Sequence, residues 1–599
     1  MRSRVPATGR CATCVFALLA TATTVGATTL NIPAGGDLQA ALNAAQPGDV
    51  IILQPGATYT GNFLLPNKGA INDYITVRSA APDATLPPAG VRMTPAYAAL
   101  LPKLKSSNSV SVLRTAAAAN HWKLMFLEFQ ANPNGYGDVV AIGAGDSSQT
   151  QLSQVPYAFV LDRVYVHGDP NVGQKRGLAL HSRDTWVINS YISDCKAVGQ
   201  DSQAIFGFNG PGNYWIENNY LEGATENFLL GGADPTIPDL VTTNVTFRRN
   251  LLSKPLAWRD PIIATPGAPS ATAGSGSGSL SPGTYSYKVV ARRTASQGNK
   301  ATSTPSAEVS ATLPEGANGS VTISWTPVVG AEDYLVYGRT AGNENQYWKT
   351  ATPYFSDSGA PGTSGTPAKA TKWAVKNIFE LKNAQDVLVE GNVFENLWVA
   401  DQPGFPIVFT PRNQYGNTPW VVVQRVEFRN NLVRHAAGGV NVLGMDNLAP
   451  SQRTNTITIR DNVFDDLTSS AWGTGSRPFQ LGDGPDAITI DHNTIVTTDM
   501  AIVWLYGGLA TAPTPQTNAR ITNNMSAHNS YGIDGSSYQP GTSSIAAYLP
   551  GSTVAGNVLA GGLASKYPAG NFFPTVAAWQ SGFASYAAGD FREASPVSR

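Results

Sequence analysis

Cysteine and charge are both scarce in this chain. Of 599 residues, 3 are cysteine, and Cys11 and Cys14 lie in the first 27 residues, which leaves Cys195 alone. A single cysteine excludes a disulfide framework, so stability must come from packing. Charged residues make up 14% of the chain and the formal net charge is −1. This balance gives no basis for nucleic-acid binding.

Long apolar runs are absent as well, so no segment is expected to span a membrane. Residues 1–27 contain three arginines, the short apolar run 15–20 and small residues at 25–27. This order is typical of a secretory signal peptide and predicts a secreted protein. Removing the three arginines takes the net charge from −1 to −4, so the mature protein is expected to be mildly acidic.

One apolar pattern recurs along the chain, in the form φ-x-φ-x-x-Asn-x-φ, where φ is a large apolar residue. Its asparagines are Asn219, Asn250, Asn392, Asn431, Asn462, Asn493, Asn524 and Asn557. Most of these positions are 31 residues apart, which indicates a repeat architecture. Short alternating strands with one coil per repeat predict a right-handed parallel β-helix. We expect the asparagines to adopt the left-handed turn conformation and to stack as a structural amide ladder.

The start of the repeat region indicates a cap and a family. Residues 37–49 fit a short amphipathic helix that would cover the first coil. The segment Pro47–Tyr59 and the strands 185–195 and 227–234 resemble the pectate-lyase-like β-helix superfamily. The resemblance implies polysaccharide cleavage and a calcium site formed by Asp201, Glu226 and Asp234. It departs from the lyase motif at Trp186-Val-Ile-Asn.

The repeat is interrupted between Asn250 and Asn392. Gly/Ser/Pro-rich linkers bound a segment with alternating strands, and this segment resembles a fibronectin type III-like module. We therefore divide the chain into a signal peptide (1–27), the N-terminal β-helix part (28–264), the inserted sandwich (265–368) and the C-terminal β-helix part (369–599).

Candidate catalytic residues lie on either side of the insertion. Alternation after Trp373 places Glu380 and Lys382 on one outward face. Lys382 is the leading base, with a neutral form favoured by neighbouring cations, and Glu380 would orient it. Arg412, Arg259 and Lys254 are expected to neutralise a substrate carboxylate. His181 is the reserve base. Residues predicted to bind substrate are Lys376, Trp258, Asn413, Asn209, Asn441, Gln480, Trp504 and Tyr506. The adjacent Asp465 and Asp466 are interpreted as a surface pair.

These patterns favour a secreted, monomeric polysaccharide lyase that cleaves an acidic polysaccharide by β-elimination, with Ca²⁺ as a candidate cofactor. Two alternatives remain open: a glycoside hydrolase of the same fold, and a non-catalytic glycan-binding or surface protein. No His/Cys metal spacing and no phosphate-binding loop occur in the sequence.

Overall fold

A computed structural model describes residues 26–294 and 300–594. The predicted signal peptide lies almost wholly outside the described residues. No helix among those described is both long enough and apolar enough to cross a membrane.

The first part of the chain contains one α-helix, four short 3-10 helices and 21 strands. The bounds of the α-helix and the strands are β1 Thr29–Ile32, α1 Leu38–Ala44, β2 Val50–Leu53, β3 Thr58–Thr60, β4 Phe63–Leu65, β5 Ile75–Ser79, β6 Lys103–Lys105, β7 Leu113–Thr115, β8 Asn120–Met125, β9 Glu128–Gln130, β10 Asp138–Ile142, β11 Tyr157–Asp162, β12 Tyr165–His167, β13 Arg176–Leu180, β14 Arg183–Ile188, β15 Tyr191–Cys195, β16 Gln203–Gly207, β17 Gly212–Glu217, β18 Tyr220–Gly223, β19 Glu226–Leu230, β20 Thr242–Arg248 and β21 Leu251–Ser253.

The inserted segment is built from antiparallel strands. They are β22 Ser270–Leu280, β23 Gly283–Arg293, β24 Ala301–Thr302, β25 Val309–Leu313, β26 Gly319–Ser324, β27 Asp333–Arg339, β28 Gln346–Thr350, β29 Tyr354–Asp357 and β30 Thr363–Ser364. One sheet has the order β22-β26-β29, and the other contains β23, β24, β25, β27, β28 and β30. Tyr287, Ile323 and Val336 contribute to one apolar core from both sheets, so the segment is a β-sandwich.

Parallel strands resume after the insertion. The remaining elements are β31 Phe379–Leu381, β32 Ala384–Glu390, β33 Val393–Leu397, β34 Ile407–Phe409, β35 Val423–Arg429, β36 Leu432–Ala436, β37 Val440–Leu443, β38 Asn455–Arg460, β39 Val463–Leu467, β40 Phe479–Gly482, β41 Asp486–Asp491, β42 Thr494–Thr497, β43 Ala501–Tyr506, β44 Gly508–Leu509, β45 Ala512–Pro513, β46 Arg520–Thr522, β47 Met525–Ala527, β48 Gly532–Gly535, α2 Thr542–Tyr548, β49 Thr553–Ala555, β50 Val558–Ala560, α3 Val576–Ser581, β51 Phe583–Ser585 and β52 Asp590–Glu593.

Each coil supplies one strand to each of three long parallel sheets. Sheet 1 has 14 strands (β1-β2-β5-β8-β11-β14-β17-β20-β32-β35-β38-β41-β46-β49), sheet 2 has 13 (β3-β6-β9-β12-β15-β18-β21-β33-β36-β39-β42-β47-β50) and sheet 3 has 12 (β4-β7-β10-β13-β16-β19-β31-β34-β37-β40-β43-β48). Val245 in β20 pairs with Val387 in β32, so the coils stack directly across the insertion. The predicted parallel β-helix with an inserted sandwich is confirmed.

The predicted asparagine ladder runs along the turn between sheets 1 and 2. From Asn219 to Asn557, each backbone N–H and side-chain Nδ2 donates to Oδ1 of the ladder residue in the next coil, as between Asn431 and Asn462 at 2.9 and 3.1 Å. Asn571, which the sequence pattern did not include, adds a final rung by accepting from Asn557 at 3.0 Å.

The predicted backbone conformation of the ladder asparagines was wrong. The positive φ belongs to the residue before each ladder position, for example Asn218 at 54° and Asn430 at 54°. The ladder residues themselves are buried, with Asn219 0% and Asn431 2% exposed. The physical reason is a division of roles: the first residue makes the turn, and the second points inward to satisfy backbone groups.

Caps close both ends of the stack. In α1, Leu38, Ala41 and Leu42 are buried, and the Asp37 side chain accepts from the backbone N–H of Ala40 at 2.9 Å. At the other end, residues 570–574 bond to the edge of β50, where the Leu559 N–H donates to the Phe572 carbonyl oxygen at 2.8 Å, and α2 packs Ile545 and Tyr548 into the interior core. These elements protect edge strands that would otherwise expose unpaired backbone groups.

Candidate functional site

The candidate site lies on the outer face of sheet 3, on the coils that flank the insertion. The register pairs Arg176 with Gln203 in the next coil, and Gln203 with Glu226 in the one after. Glu380 pairs with Leu229 of β19, so it lies in the same sheet but in a different column from Gln203 and Glu226. We call Gln203, Glu226, Glu380 and Lys382 the carboxylate cluster.

Hydrogen bonds connect the first members of this column. Arg176 Nε donates to Gln203 Oε1 at 2.9 Å, and Gln203 Nε2 donates to Glu226 Oε2 at 2.8 Å. Gln203 is 1% and Glu226 is 2% exposed. Because amide and carboxylate are both shielded from water, these bonds fix the orientation of the Glu226 carboxyl group.

Burial and a like charge change the acidity of Glu226. Its pKa is raised to about 7, first by burial and then by the charges of Glu380 and Asp201, while Lys382 and Gln203 act in the opposite direction. A carboxyl group that titrates near neutral pH can take up and release a proton under ordinary conditions, which suits general acid–base chemistry.

Glu380 and Lys382 form the other half of the cluster. Lys382 Nζ lies 3.4 Å from Glu380 Oε1, with the lysine side chain 23% exposed. Glu380 Oε2 is buried and has no hydrogen-bond partner among the described residues. Lys382 is therefore paired with a carboxylate, whereas the sequence predicted a cationic neighbourhood for it.

Arg412 lies one coil beyond Lys382, as the stacking predicts. Its backbone N–H donates to the Lys382 carbonyl oxygen at 3.1 Å. Its guanidinium group pairs with Asp446 at 2.6 Å, and the Asp446 side chain is 0% exposed. Asn413 differs from the prediction of substrate binding, because its amide is 1% exposed and is used within the loop to bind Pro450 and Thr418.

Lys254 and Trp258 are not on the outer face, which corrects two predicted site residues. Lys254 is 0% exposed, and its Nζ donates to the carbonyl oxygens of Gly223 and Ala224 and to Asn227 Oδ1. Trp258 is 4% exposed and belongs to the interior core. A lysine amine can enter this interior because backbone and amide oxygens replace its water shell.

Arg259 points to a different part of the molecule from Lys382. Its guanidinium carbon lies 5.3 Å from the Trp398 ring centroid and 5.0 Å from that of Trp472, and it donates to the Ala471 carbonyl oxygen. No hydrogen bond or ion pair within the described residues joins Arg259 to the carboxylate cluster. Its predicted role beside Lys382 is therefore not supported by its position.

His181 and Asn209 are buried, contrary to the expectation that they face a substrate. His181 is 5% exposed, its Nδ1 accepts from the Asn209 backbone N–H at 3.3 Å, and its ring contacts Phe208. Burial, aided by Arg176, lowers the pKa of His181 to about 3. Asn209 is 0% exposed, and its Nδ2 donates to two loop carbonyl oxygens.

The other predicted binding residues line the outer face further along. Lys376 pairs with Asp201 at 2.5 Å, next to the carboxylate cluster. Asn441, Gln480 and Trp504 occupy one column across three consecutive strands, with Gln480 Nε2 donating to Asn441 Oδ1 at 3.2 Å. Tyr506, two residues after Trp504 in β43, pairs with Gly482 in the register. This column continues the site along the helix axis.

The three carboxylates predicted to bind calcium do not come together. Asp201 pairs with Lys376, Glu226 accepts from Gln203, and Asp234 accepts from the backbone N–H groups of Gln414 and Tyr415. In the described parts of the chain, no group of three or more His, Cys, Asp or Glu residues could hold a metal ion. This donor set does not fit a calcium site, because each carboxylate serves another contact.

Sequence reasoning missed Arg176 and Gln203 and gave Glu226 only as a metal ligand. Aligning the coils on their inward residues Ile205 and Phe228 would have placed Gln203 and Glu226 at the same position in consecutive coils. A polar residue repeated at one coil position is the signal that was available.

Comparison with known proteins identifies no family for this chain. No protein-family model matches the chain, and no curated protein matches it significantly. Among solved structures, the chain is similar to the catalytic domain of a GH87 alpha-1,3-glucanase (TM-score 0.44, 11% identity, 90% of this chain and 70% of that one).

Two further solved structures are named for mannuronan and for mannuronic acid. They are the A-module of an Azotobacter vinelandii mannuronan C-5 epimerase (TM-score 0.42, 11% identity, 87% of this chain and 92% of that one) and a mannuronic acid specific family 6 polysaccharide lyase from human gut microbiota (TM-score 0.41, 10% identity, 92% and 88%). At these values the reaction must be argued from the site itself.

Proposed function

We propose that this chain is a secreted polysaccharide lyase that cleaves a uronate-containing polysaccharide by β-elimination on the outer face of sheet 3. The observation that carries the proposal is the Glu226 carboxyl group, whose pKa is raised to about 7. Lys376 and Lys382, whose side chains are 24% and 23% exposed, belong to the same charged network.

β-Elimination needs a base for the proton beside the uronate carboxylate and a positive charge to stabilise that carboxylate. Glu226 in its ionised form removes the proton, and the electron pair left behind forms the new C=C bond as the C–O bond to the leaving sugar breaks. The proton on Glu226 then passes to the departing oxygen, so one carboxyl group balances the reaction. Lys382, held by Glu380, and Lys376 attract the substrate carboxylate.

The proposed base is Glu226, whereas the sequence predicted Lys382. A base works best when its pKa lies near the working pH, and Glu226 meets that condition. Lys382 lies 3.4 Å from a carboxylate, which suits the role of a fixed cation. Because Glu226 is only 2% exposed, neighbouring side chains must move before a substrate reaches it.

A glycoside hydrolase is the second candidate, and the presence of both Glu226 and Glu380 at the site favours it. Both carboxyl groups are buried on the outer face of one sheet, and the charge of Glu380 raises the pKa of Glu226. Two carboxyl groups on one face can serve as acid and base in hydrolysis. The lysines are the reason for preferring elimination, since hydrolysis of a neutral glycan does not need them.

The test is incubation of the full chain with alginates, pectins and glycosaminoglycans while absorbance of the unsaturated uronate product is followed. We expect absorbance with one of these substrates and a loss of at least about 100-fold in rate for Glu226→Gln. The matched control is Glu427→Gln, a partly exposed glutamate on sheet 1 that pairs with Arg429 and Arg460, and this variant should retain full activity.

Two other results would point elsewhere. New reducing ends without absorbance would replace elimination by hydrolysis. Binding to a polysaccharide without any cleavage would favour the third alternative, a glycan-binding protein.

A further inference from the structure

A second polar pocket lies on a different face, between sheet 2 and the β51–β52 hairpin. We call it the roofed pocket. Its volume is about 560 Å³, within the range for small-molecule sites. Its polar lining consists of Arg434, His435, Asp465, Asp466, Thr497, Thr498 and Tyr586. None of these residues belongs to the carboxylate cluster.

A β-bulge makes this lining polar. Between β39 and β42 the register moves from Phe464–Ile495 to Leu467–Thr497, so Asp465 and Asp466 together face one residue of the neighbouring strand. Asp466 has a φ of 49°, and His435 in the preceding coil has a φ of 55°. Bulges of this kind redirect side chains away from regular alternation, and they often occur beside binding sites.

The two aspartates differ in acidity. Burial raises the pKa of Asp465, although the charge of His435 opposes this effect. Burial also acts to raise the pKa of Asp466, but hydrogen bonds from His435 and Trp472 outweigh it and hold that pKa below its usual value. His435 Nδ1 lies 3.0 Å from Asp466 Oδ2. Asp466 is therefore a ready hydrogen-bond acceptor, and Asp465 is more easily protonated.

Trp472, Trp398 and Arg259 pack together beside the polar lining of the pocket. Trp472 donates from Nε1 to Asp466, and its ring lies 5.4 Å from that of His435. Arg259 lies between Trp472 and Trp398, with 5.0 and 5.3 Å to the ring centroids. These contacts explain the position of Arg259, and they fix the polar groups before any ligand binds.

We propose that the roofed pocket binds a neutral sugar unit of a glycan. Its lining offers carboxylate acceptors, an imidazole and hydroxyl groups, which match the paired donor and acceptor character of sugar hydroxyls. The pocket cations already have partners, because Arg434 pairs with Glu395 at 2.7 Å and His435 with Asp466. Asp465 adds a further carboxyl group, so an anionic sugar would be repelled.

Calorimetric titration of the full chain with neutral tetrasaccharides tests the proposal. The probes are cellotetraose, laminaritetraose, mannotetraose and xylotetraose, with tetragalacturonate as the anionic comparison. We expect one neutral probe to bind, and Asp465→Asn and Asp466→Asn each to weaken its affinity about tenfold or more. Asp386→Asn is the matched control, because Asp386 is also an aspartate with positive φ, at 55°, but lies on sheet 1.

The Glu226→Gln variant separates this site from the proposed catalytic site, since it should bind the neutral probe as well as the original chain does. Three results would overturn the inference: no binding of any neutral probe, unchanged affinity in both pocket variants, or tetragalacturonate binding that the pocket variants abolish. Thermal midpoints of all variants show whether a lost affinity reflects unfolding.

Discussion

The two turns that flank sheet 2 behave in opposite ways. The turn from sheet 1 to sheet 2 carries the asparagine ladder, with nearly the same bonds in every coil from Asn219 to Asn557. The turn from sheet 2 to sheet 3 varies in length, from residues 224–225 between β18 and β19 to residues 254–378 between β21 and β31. It carries the inserted sandwich, the buried Lys254 and the approach to Glu226. A turn whose backbone groups depend on one repeated side chain cannot vary, whereas the opposite turn can acquire insertions and chemistry.

The largest effect that tests this contrast is expected from Asn431→Ala. The Asn431 side chain accepts from Asn392 and donates to Val389 and Asn462, and all these groups are buried. Leaving them unpaired should lower the free energy of unfolding by about 3 kcal/mol, as measured by chemical denaturation. Asn441→Ala, on the outer face of sheet 3, should change it by less than about 0.5 kcal/mol. Equal losses in the two variants would show that the ladder turn is no more sensitive to substitution than the outer face of sheet 3.

A pH effect of intermediate size is expected from Glu226. Its pKa is about 7 in the folded chain against 4.5 for an ordinary glutamate. The folded state then binds more protons than the unfolded state between these values, so raising the pH through this window lowers the free energy of unfolding. The window from 4.5 to about 7 spans about 2.5 pKa units at about 1.4 kcal/mol each, so the loss is expected to be no more than roughly 3 kcal/mol.

The Glu226→Gln variant provides the comparison for that measurement. Its stability should depend less on pH between 4.5 and 7, and it should exceed the original chain in stability at pH 8. Parallel pH profiles for the two proteins would show that Glu226 titrates normally.

The smallest effect is expected from removing residues 266–368 and joining the ends with a short Gly/Ser linker. Ile262 still donates to the Thr371 carbonyl oxygen at 3.0 Å, and Trp258 and Trp373 remain in the β-helix core. The unfolding free energy of the β-helix should change by less than about 1 kcal/mol in denaturant titration. A longer deletion, 258–373, removes both tryptophans and should cost several kcal/mol. Similar losses for both deletions would mean that the sandwich itself supports the helix.

The fold was predictable because the same residues recur. The spacing of Asn431, Asn462 and Asn493 set the coil length, and each inward apolar pair marked a strand. Asparagine occurs at both adjacent turn positions, as in Asn430-Asn431, which hides the residue that takes the positive φ. Gly391 and Gly556, which directly precede ladder residues, were the signal for the first position.

The site was predictable only in part, for a related reason. Alternation placed Glu380 outward correctly, but Ala204 and Ile205 both point into the interior core, so strict alternation fails within sheet 3 strands. The burial of Lys254 depends on carbonyl oxygens from residues 223–224, which are about 30 positions away along the chain. Such solvation of a charge by distant backbone leaves no pattern in the sequence.

The asparagine ladder has a direction. From Asn219 to Asn557, the backbone N–H and one Nδ2 hydrogen of each rung donate to the next rung, and Oδ1 accepts from the previous one, with Ser190 at one end and Asn571 at the other. The second Nδ2 hydrogen donates to a backbone carbonyl oxygen of the preceding coil, as from Asn431 to Val389. The side-chain dipoles therefore align head to tail, and aligned hydrogen bonds polarise and strengthen one another. An interior rung such as Asn431 has neighbours on both sides, whereas a terminal rung has one. Amide hydrogens along this turn should consequently exchange with solvent from the ends of the column inward. The slowest exchange is expected at the interior rungs.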